Sequence, residues 1–190
     1  MTTRTFLALE LPEPVKAVLR RRIERLAHAL PEVRFVDVAG LHLTLAFLGE
    51  LDETELAAAT GAAEEAASVH APFTLRLNNL GAFGSARSPR VIWVGLAGDV
   101  ARLRAVQSTV ADALEARGFG REARPFAPHL TLARIKKSLS DASLATLARM
   151  QSEPAPDANW RADAISVMKS ELLRPAARYT ALSHWPLIAS

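Results

Sequence analysis

Two stretches of the sequence repeat the same pairing of a histidine with a hydroxyl side chain. Residues 42–49 read HLTLAFLG, and residues 129–134 read HLTLAR. Because side chains alternate between the faces of a β-strand, His42 shares a face with Thr44, and His129 shares one with Thr131. Each pair is embedded in apolar sequence, where a polar group needs a partner or a ligand. The repetition therefore favours a function for these four residues over an ordinary surface position.

The four side chains suit acid–base chemistry at phosphorus. An imidazole titrates near neutral pH, so one ring can accept a proton while the other donates one. Threonine hydroxyls can donate hydrogen bonds to phosphate oxygens. If the two strands meet at one cleft, one histidine activates the nucleophile and the other protonates the leaving oxygen. The two motifs read the same, so the residues alone leave open which histidine is the acid and which the base.

A metal site is the competing interpretation of paired histidines. Structural and catalytic metal sites usually have three or four ligands. Neither motif has a second histidine or a carboxylate on its His/Thr face, and the sequence contains no cysteine. A serine-nucleophile motif, a P-loop and a dinucleotide-binding glycine motif are also absent from the sequence. The residues therefore favour chemistry that requires no metal.

Charge is distributed unevenly along the sequence. The chain of 190 residues has 23 basic and 20 acidic residues, a net charge of only +3. Between residues 117 and 137, Glu122 is the single acidic residue among six basic ones, which are Arg117, Arg121, Arg124, Arg134, Lys136 and Lys137. Such a local cluster attracts phosphates, although a solvated loop has the same composition. The sequence has no apolar run long enough to cross a membrane and no signal peptide, so we expect a cytoplasmic protein.

Hydrophobic periodicity predicts a mixture of strands and helices. The predicted strands cover residues 4–11, 34–38, 41–51, 73–80, 90–96 and 129–136, with two more inside 162–173 and 178–187, and the predicted helices cover 14–30, 52–69, 99–118 and 140–152. Low-complexity linkers are absent between the two halves. We therefore predict an α+β fold in which residues 1–190 form one domain of two similar lobes, each contributing one HLTL strand. A monomer is the expected oligomeric state.

The motifs and their flanking segments resemble the two-histidine (2H) phosphoesterase superfamily. The similarity is closest to its RNA 2',3'-cyclic phosphodiesterase branch, whose members are related to 2'-5' RNA ligases. Besides the two HLTL strands, the similarity rests on FLALELP (6–12), LGAFGSARSPRVIWVGL (80–96), RPFAPHLTLAR (124–134) and YTALSHWPL (179–187). A lone H-x-T is a weak signal, whereas two copies with these flanks are highly specific.

The resemblance implies a bilobal fold with pseudo-two-fold symmetry, an antiparallel sheet with helices in each lobe and a cleft between the lobes. It implies hydrolysis of a terminal 2',3'-cyclic phosphate to a 2'-phosphate without a cofactor. In that scheme His42 is the general acid that protonates the 3' oxygen, and His129 is the general base that activates water. Thr44 and Thr131 bind phosphate oxygens. The expected substrates are RNAs with 2',3'-cyclic phosphate ends or cyclic nucleotides, and no membrane is involved.

The resemblance bears on three further positions, Arg134, Phe47 and Phe35. Arg134 matches a basic position of the family and suits bidentate phosphate contact. It lies five residues past His129, however, so it reaches the His/Thr face only if the strand twists or bulges. Phe47 has the same offset from His42, and its expected place is the core. Relatives often have Trp before the first motif where this chain has Phe35, which could stack on a base.

Two alternatives remain open at this stage. One is a nucleotide- or RNA-binding module on the same fold, with weak or absent catalysis; the presence of both histidines argues against it, because a binder needs no acid and no base. The other is ligase activity, in which a 5'-hydroxyl replaces water at the same site. The sequence does not identify the physiological RNA or a base preference.

Overall fold

The computed structural model describes residues 2–171 and 177–188, which contain eight β-strands, four α-helices and one short 3-10 helix. The strands are β1 (Thr3–Glu10), β2 (His42–Leu51), β3 (Phe73–Ser85), β4 (Ser88–Gly98), β5 (His129–Arg134), β6 (Asn159–Ala162), β7 (Ala164–Glu171) and β8 (Arg178–Pro186). The α-helices are α1 (Glu13–Ala29), α2 (Glu53–Ser68), α3 (Val100–Glu115) and α4 (Asp141–Gln151), and the 3-10 helix is Val38–Gly40.

The strands form two antiparallel sheets of four strands each. The first sheet has the order β2-β1-β7-β8, and the second has the order β5-β4-β3-β6. Each sheet therefore carries one of the two histidine strands at its edge, beside the strand that begins the same half of the chain. The predicted α+β class with one antiparallel sheet in each lobe is confirmed.

The two halves of the chain repeat one order of elements, strand–helix–histidine strand–helix. After each repeat the chain crosses to the sheet of the other half, because β3 pairs with β4 after the first repeat, and β7 pairs with β1 after the second. The buried apolar residues of both sheets form one continuous cluster, which includes Leu7 and Leu43 of the first sheet and Leu75 and Leu130 of the second. This exchange of strands couples the lobes and places the two histidine strands at their junction.

The helices cover the sheets through apolar faces that the sequence periodicity predicts. Helices α2 and α3 pack against each other and against strands of the first sheet, and α4 packs against β3. Helix α1 contacts α4 through Arg22, whose guanidinium lies 2.7 Å from the Glu153 carboxylate and also donates to the Met150 carbonyl at 3.1 Å. None of the described helices is long and apolar enough to span a membrane.

The predicted strand at 34–38 is wrong. Only Phe35 forms a bridge, with Ala133 of β5, and the chain then turns into the 3-10 helix. Phe35 is half-buried and packs against the core, and its stacking on a base stays a prediction. The segment lies alongside β5, where the Val36 amide donates to the Leu132 carbonyl at 2.8 Å. It thereby joins the two lobes next to the first histidine.

Other differences concern the ends of strands. The predicted loop after residue 80 is a continuation of the β3–β4 hairpin, whose ladder runs on to the pair Ser85 and Ser88. Strand β6 escaped prediction because its four residues are too few to show a period. Strand β5 ends at Arg134 rather than at residue 136. The part of the last but one predicted strand beyond residue 171 lies outside the described residues.

Candidate active site

Both motif histidines are held by the same backbone hydrogen bond. The Nδ1 atom of His42 lies 2.7 Å from the Gly40 carbonyl oxygen, and the Nδ1 atom of His129 lies 2.6 Å from the Ala127 carbonyl oxygen. A carbonyl oxygen only accepts, so each Nδ1 carries a hydrogen and donates it. The Nε2 atom of each ring is therefore the one left to take up or release a proton.

The two histidine strands approach each other without pairing. Strands β2 and β5 belong to different sheets and come near each other at the junction of the lobes. The segment before β2 fills the remaining space, since Val36 hydrogen bonds to Leu132 within β5. The structure therefore brings together the two motifs that the sequence predicts to face one cleft, as neighbouring sheet edges rather than as adjacent strands of one sheet.

A β-bulge lies three residues after each histidine. Thr44 pairs with Ala8 and Ala46 pairs with Leu7, which leaves Leu45 as the extra residue of β2. Thr131 pairs with Trp93 in the same way, and the extra residue of β5 is Leu132. A bulge inverts the alternation that follows it, so the residue five positions after each histidine returns to the histidine's face.

The bulge in β5 brings Arg134 to the His/Thr face, which the regular alternation of a strand would not do. This residue pairs with Val91, which lies two residues before Trp93, and Trp93 is the partner of Thr131. Arg134 thus lies on the His129 face and is exposed. Among the described residues its guanidinium makes no hydrogen bond or ion pair, so its charge is available to an anion.

The bulge in β2 overturns the prediction for Phe47. Phe47 pairs with Phe6 and is 57% exposed, although a core position was expected for it. The alternation counted from His42 would place Phe47 among the buried side chains, and the extra residue turns it to the other face. The guanidinium carbon of Arg4 lies 4.7 Å from the centre of its ring.

The two motif threonines are accessible. Thr44 is exposed and Thr131 is half-exposed, each on the same face as its histidine. Within residues 2–171 and 177–188 neither hydroxyl has a hydrogen-bond partner, so both are available to donate to a bound oxygen. All five residues that the sequence singled out therefore lie on the His/Thr faces of two neighbouring edge strands; they are His42, Thr44, His129, Thr131 and Arg134.

Two aromatic rings support the imidazole of His42. The ring of Phe6 stacks on it with centroids 4.4 Å apart, and Tyr179 meets it edge-on at 4.9 Å. The close approach of Tyr179 requires glycine at position 40, because a Cβ atom there would lie 2.7 Å from the tyrosine ring. The same Gly40 supplies the carbonyl that orients His42. Tyr179 is thus part of the surroundings of His42.

A corresponding aromatic pair supports His129. Phe83 meets its ring edge-on at 4.8 Å, and Trp93 lies at 6.3 Å. The indole of Trp93 rests over Gly81 of the neighbouring strand, where a Cβ atom would lie 2.2 Å from the ring. The central segment containing Phe83 and Trp93 therefore positions the second histidine, a role that spacing alone did not reveal.

Burial lowers the pKa of His42 below its usual value. The hydrogen bond to the Gly40 carbonyl and the nearby Glu10 carboxylate act in the opposite direction, and Lys16 adds to the lowering. In the free protein, the neutral form of this ring is therefore favoured more than for an exposed histidine. An anion bound beside it would favour the protonated form.

A third histidine lies on the same face of the first sheet. Glu10 is the cross-strand partner of His42, and its carboxylate accepts a hydrogen bond from the Ser166 hydroxyl at 2.6 Å. The Nδ1 atom of His184 lies 2.9 Å from the Ser166 oxygen and 3.1 Å from Glu10 Oε1. Ser166 is buried, so we assign its hydroxyl a structural role, in which it holds the Glu10 carboxylate and the His184 ring, and not that of a nucleophile. Sequence reasoning missed Glu10, although its alternation with Phe6 and Ala8 places it on this face.

The basic cluster at 117–137 is smaller than its charge count suggested. Arg117 forms an ion pair with Glu65 at 2.8 Å, and Arg121 pairs with Asp112 and Glu115 at 2.7 and 2.8 Å. In the described part of the chain, the side chains of the other four, Arg124, Arg134, Lys136 and Lys137, are exposed and make no ion pair. The described residues contain no group of three or more metal-binding side chains.

The structure consists of two antiparallel sheets, each with one His-x-Thr strand at its edge. This architecture defines a two-lobed phosphoesterase-like protein. Solved structures share it. A Thermus thermophilus protein, TT0787, matches with a TM-score of 0.80 and 28% identity over 97% of both chains. The structure of E. coli LigT complexed with 3'-AMP matches with a TM-score of 0.78 and 27% identity over 100% of both chains.

Sequence comparisons point to the same family. The family model of the 2'-5' RNA ligase superfamily matches residues 12–173, so the chain belongs to this superfamily. A protein named RNA 2',3'-cyclic phosphodiesterase from Aeropyrum pernix is 38% identical over 132 residues, which are 69% of this chain and 73% of that protein. One of the same name from Geobacillus stearothermophilus is 36% identical over 129 residues, which are 68% of this chain but only 41% of that longer protein.

Proposed function

We propose that this protein hydrolyses 2',3'-cyclic phosphate ends of RNA to 2'-phosphomonoesters by acid–base catalysis between two histidines. The observation that carries the proposal is the matched pair of Nδ1–carbonyl hydrogen bonds, which leaves the Nε2 atom of each histidine for proton transfer. The names of the relatives described above support the same activity. A protein that only binds RNA has no use for two rings oriented in this way.

The proposed reaction is an in-line displacement at phosphorus. His129 Nε2 accepts a proton from water as its oxygen bonds to phosphorus, and the bond from phosphorus to the 3' oxygen breaks. Protonated His42 donates its Nε2 proton to that oxygen, which leaves as the 3'-hydroxyl. The product carries a 2'-phosphate. His129 ends protonated and His42 neutral, and exchange with solvent restores both.

The remaining side chains hold the phosphate in this scheme. Thr44 and Thr131 donate hydrogen bonds to the non-bridging oxygens from the two sides of the cleft. Arg134 adds a positive charge and two aligned N–H groups. The negative charge of the bound phosphate offsets the effect of burial on His42, because it stabilises the imidazolium that must donate the proton.

The test uses a short RNA with a 2',3'-cyclic phosphate end, incubated with the protein in excess EDTA. Chromatography separates the 2'-phosphate from the 3'-phosphate product, and His42→Ala and His129→Ala are run alongside. We expect 2'-phosphate from the wild type and almost none from either variant. Unchanged turnover in both variants would overturn the mechanism, and RNA binding without turnover by the wild type would indicate a binding module.

Ligase activity is the second candidate, because the family model that matches the chain describes 2'-5' RNA ligases. A 5'-hydroxyl in place of water at the same phosphorus would join two RNA ends. We expect this product to be minor because water is far more concentrated. Adding a 5'-hydroxyl RNA to the same assay measures the ratio of ligation to hydrolysis. A cytoplasmic location, a monomeric state and a single domain over residues 1–190 stay predictions; sedimentation and limited proteolysis test the last two.

A further inference from the structure

Polar side chains continue the active-site face of the second sheet beyond His129. His129 pairs with Gly95 of β4. Two residues further along β4, Ala97 lies on the same face and pairs with Arg76 of β3. The exposed side chains on this part of the face, which we call the polar strip, are those of Asn78, Arg76, Asn159 and Arg161.

The strand partners assign each member of the polar strip to this face. Arg76 pairs with Asn159 of β6, and Arg161 lies two residues after Asn159, so these three residues share one face. A Cβ atom at Gly95 would lie 3.6 Å from the Cβ atom of Asn78, so Asn78 lies on this face as well. Because Gly95 has no side chain, only backbone separates Asn78 from β5 at this point of the sheet.

The polar strip has the chemistry of a site for single-stranded RNA. Over residues 2–171 and 177–188, the guanidinium groups of Arg76 and Arg161 make no hydrogen bond and no ion pair, so both charges are available to backbone phosphates. The two asparagine amides can exchange hydrogen bonds with ribose hydroxyls and base edges. At the far end of the strip, the Asp99 carboxylate accepts a hydrogen bond from the Thr74 amide at 3.0 Å.

The polar strip lies on the side from which the nucleophile enters in the proposed reaction. In an in-line displacement, the nucleophile and the leaving oxygen lie on opposite sides of phosphorus. The 3' oxygen leaves toward His42, so the nucleophile approaches from His129 and the second sheet. On that face Thr131 lies on one side of His129 and the strip on the other. Two strand spacings, about 10 Å, separate His129 from the neighbourhood of Asn78.

We propose that the polar strip binds the RNA strand that carries the 5'-hydroxyl when the protein joins two RNA ends. The proposal rests on the proposed function and its assignment of acid and base, and adds a second substrate site to it. The hydroxyl oxygen lies at His129, and the rest of the strand extends over the strip, with its phosphates at Arg76 and Arg161. Water needs no such site, so the strip affects ligation and not hydrolysis.

The joining reaction is balanced without a further reactant. His129 Nε2 takes the hydroxyl proton as the 5' oxygen bonds to phosphorus. The bond from phosphorus to the 3' oxygen breaks, and His42 gives its Nε2 proton to that oxygen. The product is a 2'-5' phosphodiester beside a free 3'-hydroxyl, so the strip increases the share of turnovers that end in ligation.

The test supplies an RNA with a cyclic end and a subsaturating RNA with a 5'-hydroxyl, and measures the ratio of joined product to 2'-phosphate. We expect Arg76→Ala/Arg161→Ala to lower this ratio about tenfold at low salt, because two phosphate contacts are lost. Arg76→Lys/Arg161→Lys keeps both charges and should retain most of the ratio. Arg102→Ala, which removes an exposed arginine of α3, should leave it unchanged.

Salt dependence distinguishes phosphate contacts from other causes. For single strands, each contact contributes about 0.7 to the slope of log affinity against log salt, so each arginine-to-alanine change should reduce the slope for the 5'-hydroxyl RNA by about 0.7. An unchanged ratio in Arg76→Ala/Arg161→Ala overturns the proposal. So does a lower ratio with an unchanged slope, or an equal loss in Arg102→Ala.

Substrate length identifies the strand that the polar strip binds. Hydrolysis of a cyclic mononucleotide and of a trinucleotide with a cyclic end is compared in the wild type and in Arg76→Ala/Arg161→Ala. We expect the same rates in both proteins. Slower hydrolysis of the trinucleotide alone, with an unchanged ligation ratio, would assign the strip to the strand that carries the cyclic end and overturn the proposal.

The polar strip can be tested separately from the proposed reaction. Fluorescence anisotropy of a 3'-labelled trinucleotide with a 5'-hydroxyl measures binding without turnover, while a saturating 2'-phosphate mononucleotide occupies the active site. We expect weaker binding by Arg76→Ala/Arg161→Ala and unchanged binding by Arg102→Ala. Equal affinity of all three proteins would overturn the strip alone. A wild type that hydrolyses no cyclic end would overturn the proposed function, whatever the anisotropy shows.

Discussion

The two halves of the molecule orient their histidines with the same hydrogen bond to a backbone carbonyl, but different side chains surround the two rings. In each half the ring donates from Nδ1 to a carbonyl two residues earlier, and a bulge follows three residues later. His42 lies under the stacked ring of Phe6 and beside Glu10, whereas His129 meets Phe83 only at its edge. Five residues further on, one half has an exposed phenylalanine and the other an arginine.

This difference shows which features a duplicated site shares and which it can vary. The main-chain features that orient the Nε2 atoms are the same, and the proposed proton transfer at one phosphorus requires two rings oriented in this way. The side chains around them differ, as the proposed roles of one acid and one base lead us to expect. The two halves are therefore alike in the backbone around each histidine and different in the side chains that contact it.

The largest expected effect distinguishes the roles of the two histidines. His42→Ala and His129→Ala should each lower kcat by about 10²- to 10⁴-fold, the usual contribution of a general acid or base. A cyclic substrate with sulfur in place of the bridging 3' oxygen has a leaving group that needs no proton. Turnover of this substrate should be restored in His42→Ala and not in His129→Ala. The opposite pattern of rescue would exchange the roles of acid and base.

The second expected effect concerns the arginine that only one half has. Removing a hydrogen bond between charged groups costs about 1.5–3 kcal/mol, so Arg134→Ala should lower kcat/KM by about 10- to 150-fold. Arg134→Lys keeps the charge but not the paired N–H groups and should retain part of the activity. Lys136→Ala, which removes a nearby exposed charge, is the control. A loss in Lys136→Ala as large as that in Arg134→Ala would indicate general attraction of the RNA instead of a phosphate contact.

The third expected effect concerns the glycines that let aromatic rings reach the histidines. In Gly81→Ala the added Cβ would lie 2.2 Å from the Trp93 ring, and in Gly40→Ala it would lie 2.7 Å from the Tyr179 ring. Each should lower the free energy of unfolding by about 1–3 kcal/mol, as overpacking does, with Gly81→Ala the more affected. Thermal melts measure this, and Gly120→Ala is the control because no atom lies within 4 Å of its Cβ position. Wild-type stability of Gly81→Ala would contradict the packing described.

The smallest expected effect is a shift in pH dependence. Burial lowers the pKa of His42, and the Glu10 carboxylate partly offsets this. As a general acid His42 works only when protonated, so kcat/KM should fall as the pH rises through its lowered pKa. Glu10→Gln removes the negative charge, lowers this pKa further and should move the alkaline side of the profile to lower pH. NMR titration of His42 checks the same shift directly, and Glu64→Gln, an exposed carboxylate on α2, should leave it unchanged.

Much of the site was evident in the sequence because it depends on local alternation. A strand of period two places His42 with Thr44 and His129 with Thr131 whatever the rest of the fold does. Helices with a regular apolar face are also local, and α2 lies within its predicted range, with a capping box formed by Asp52 and Glu55 at its start. The chemistry of two imidazoles and two hydroxyls follows from those residue types without coordinates.

The tertiary structure decided what depends on a partner strand. A bulge is a mismatch between two strands, so no count along one strand predicts it, and the same feature that exposed Phe47 brought Arg134 to the site. The contact between Glu10 and Ser166 joins residues 156 positions apart. The sequence by itself therefore determined which groups we propose for the chemistry. Only the packing of two sheets determined which rings lie against each histidine, how burial shifts the pKa of His42 and which side chains reach the substrate, because these depend on contacts between distant segments.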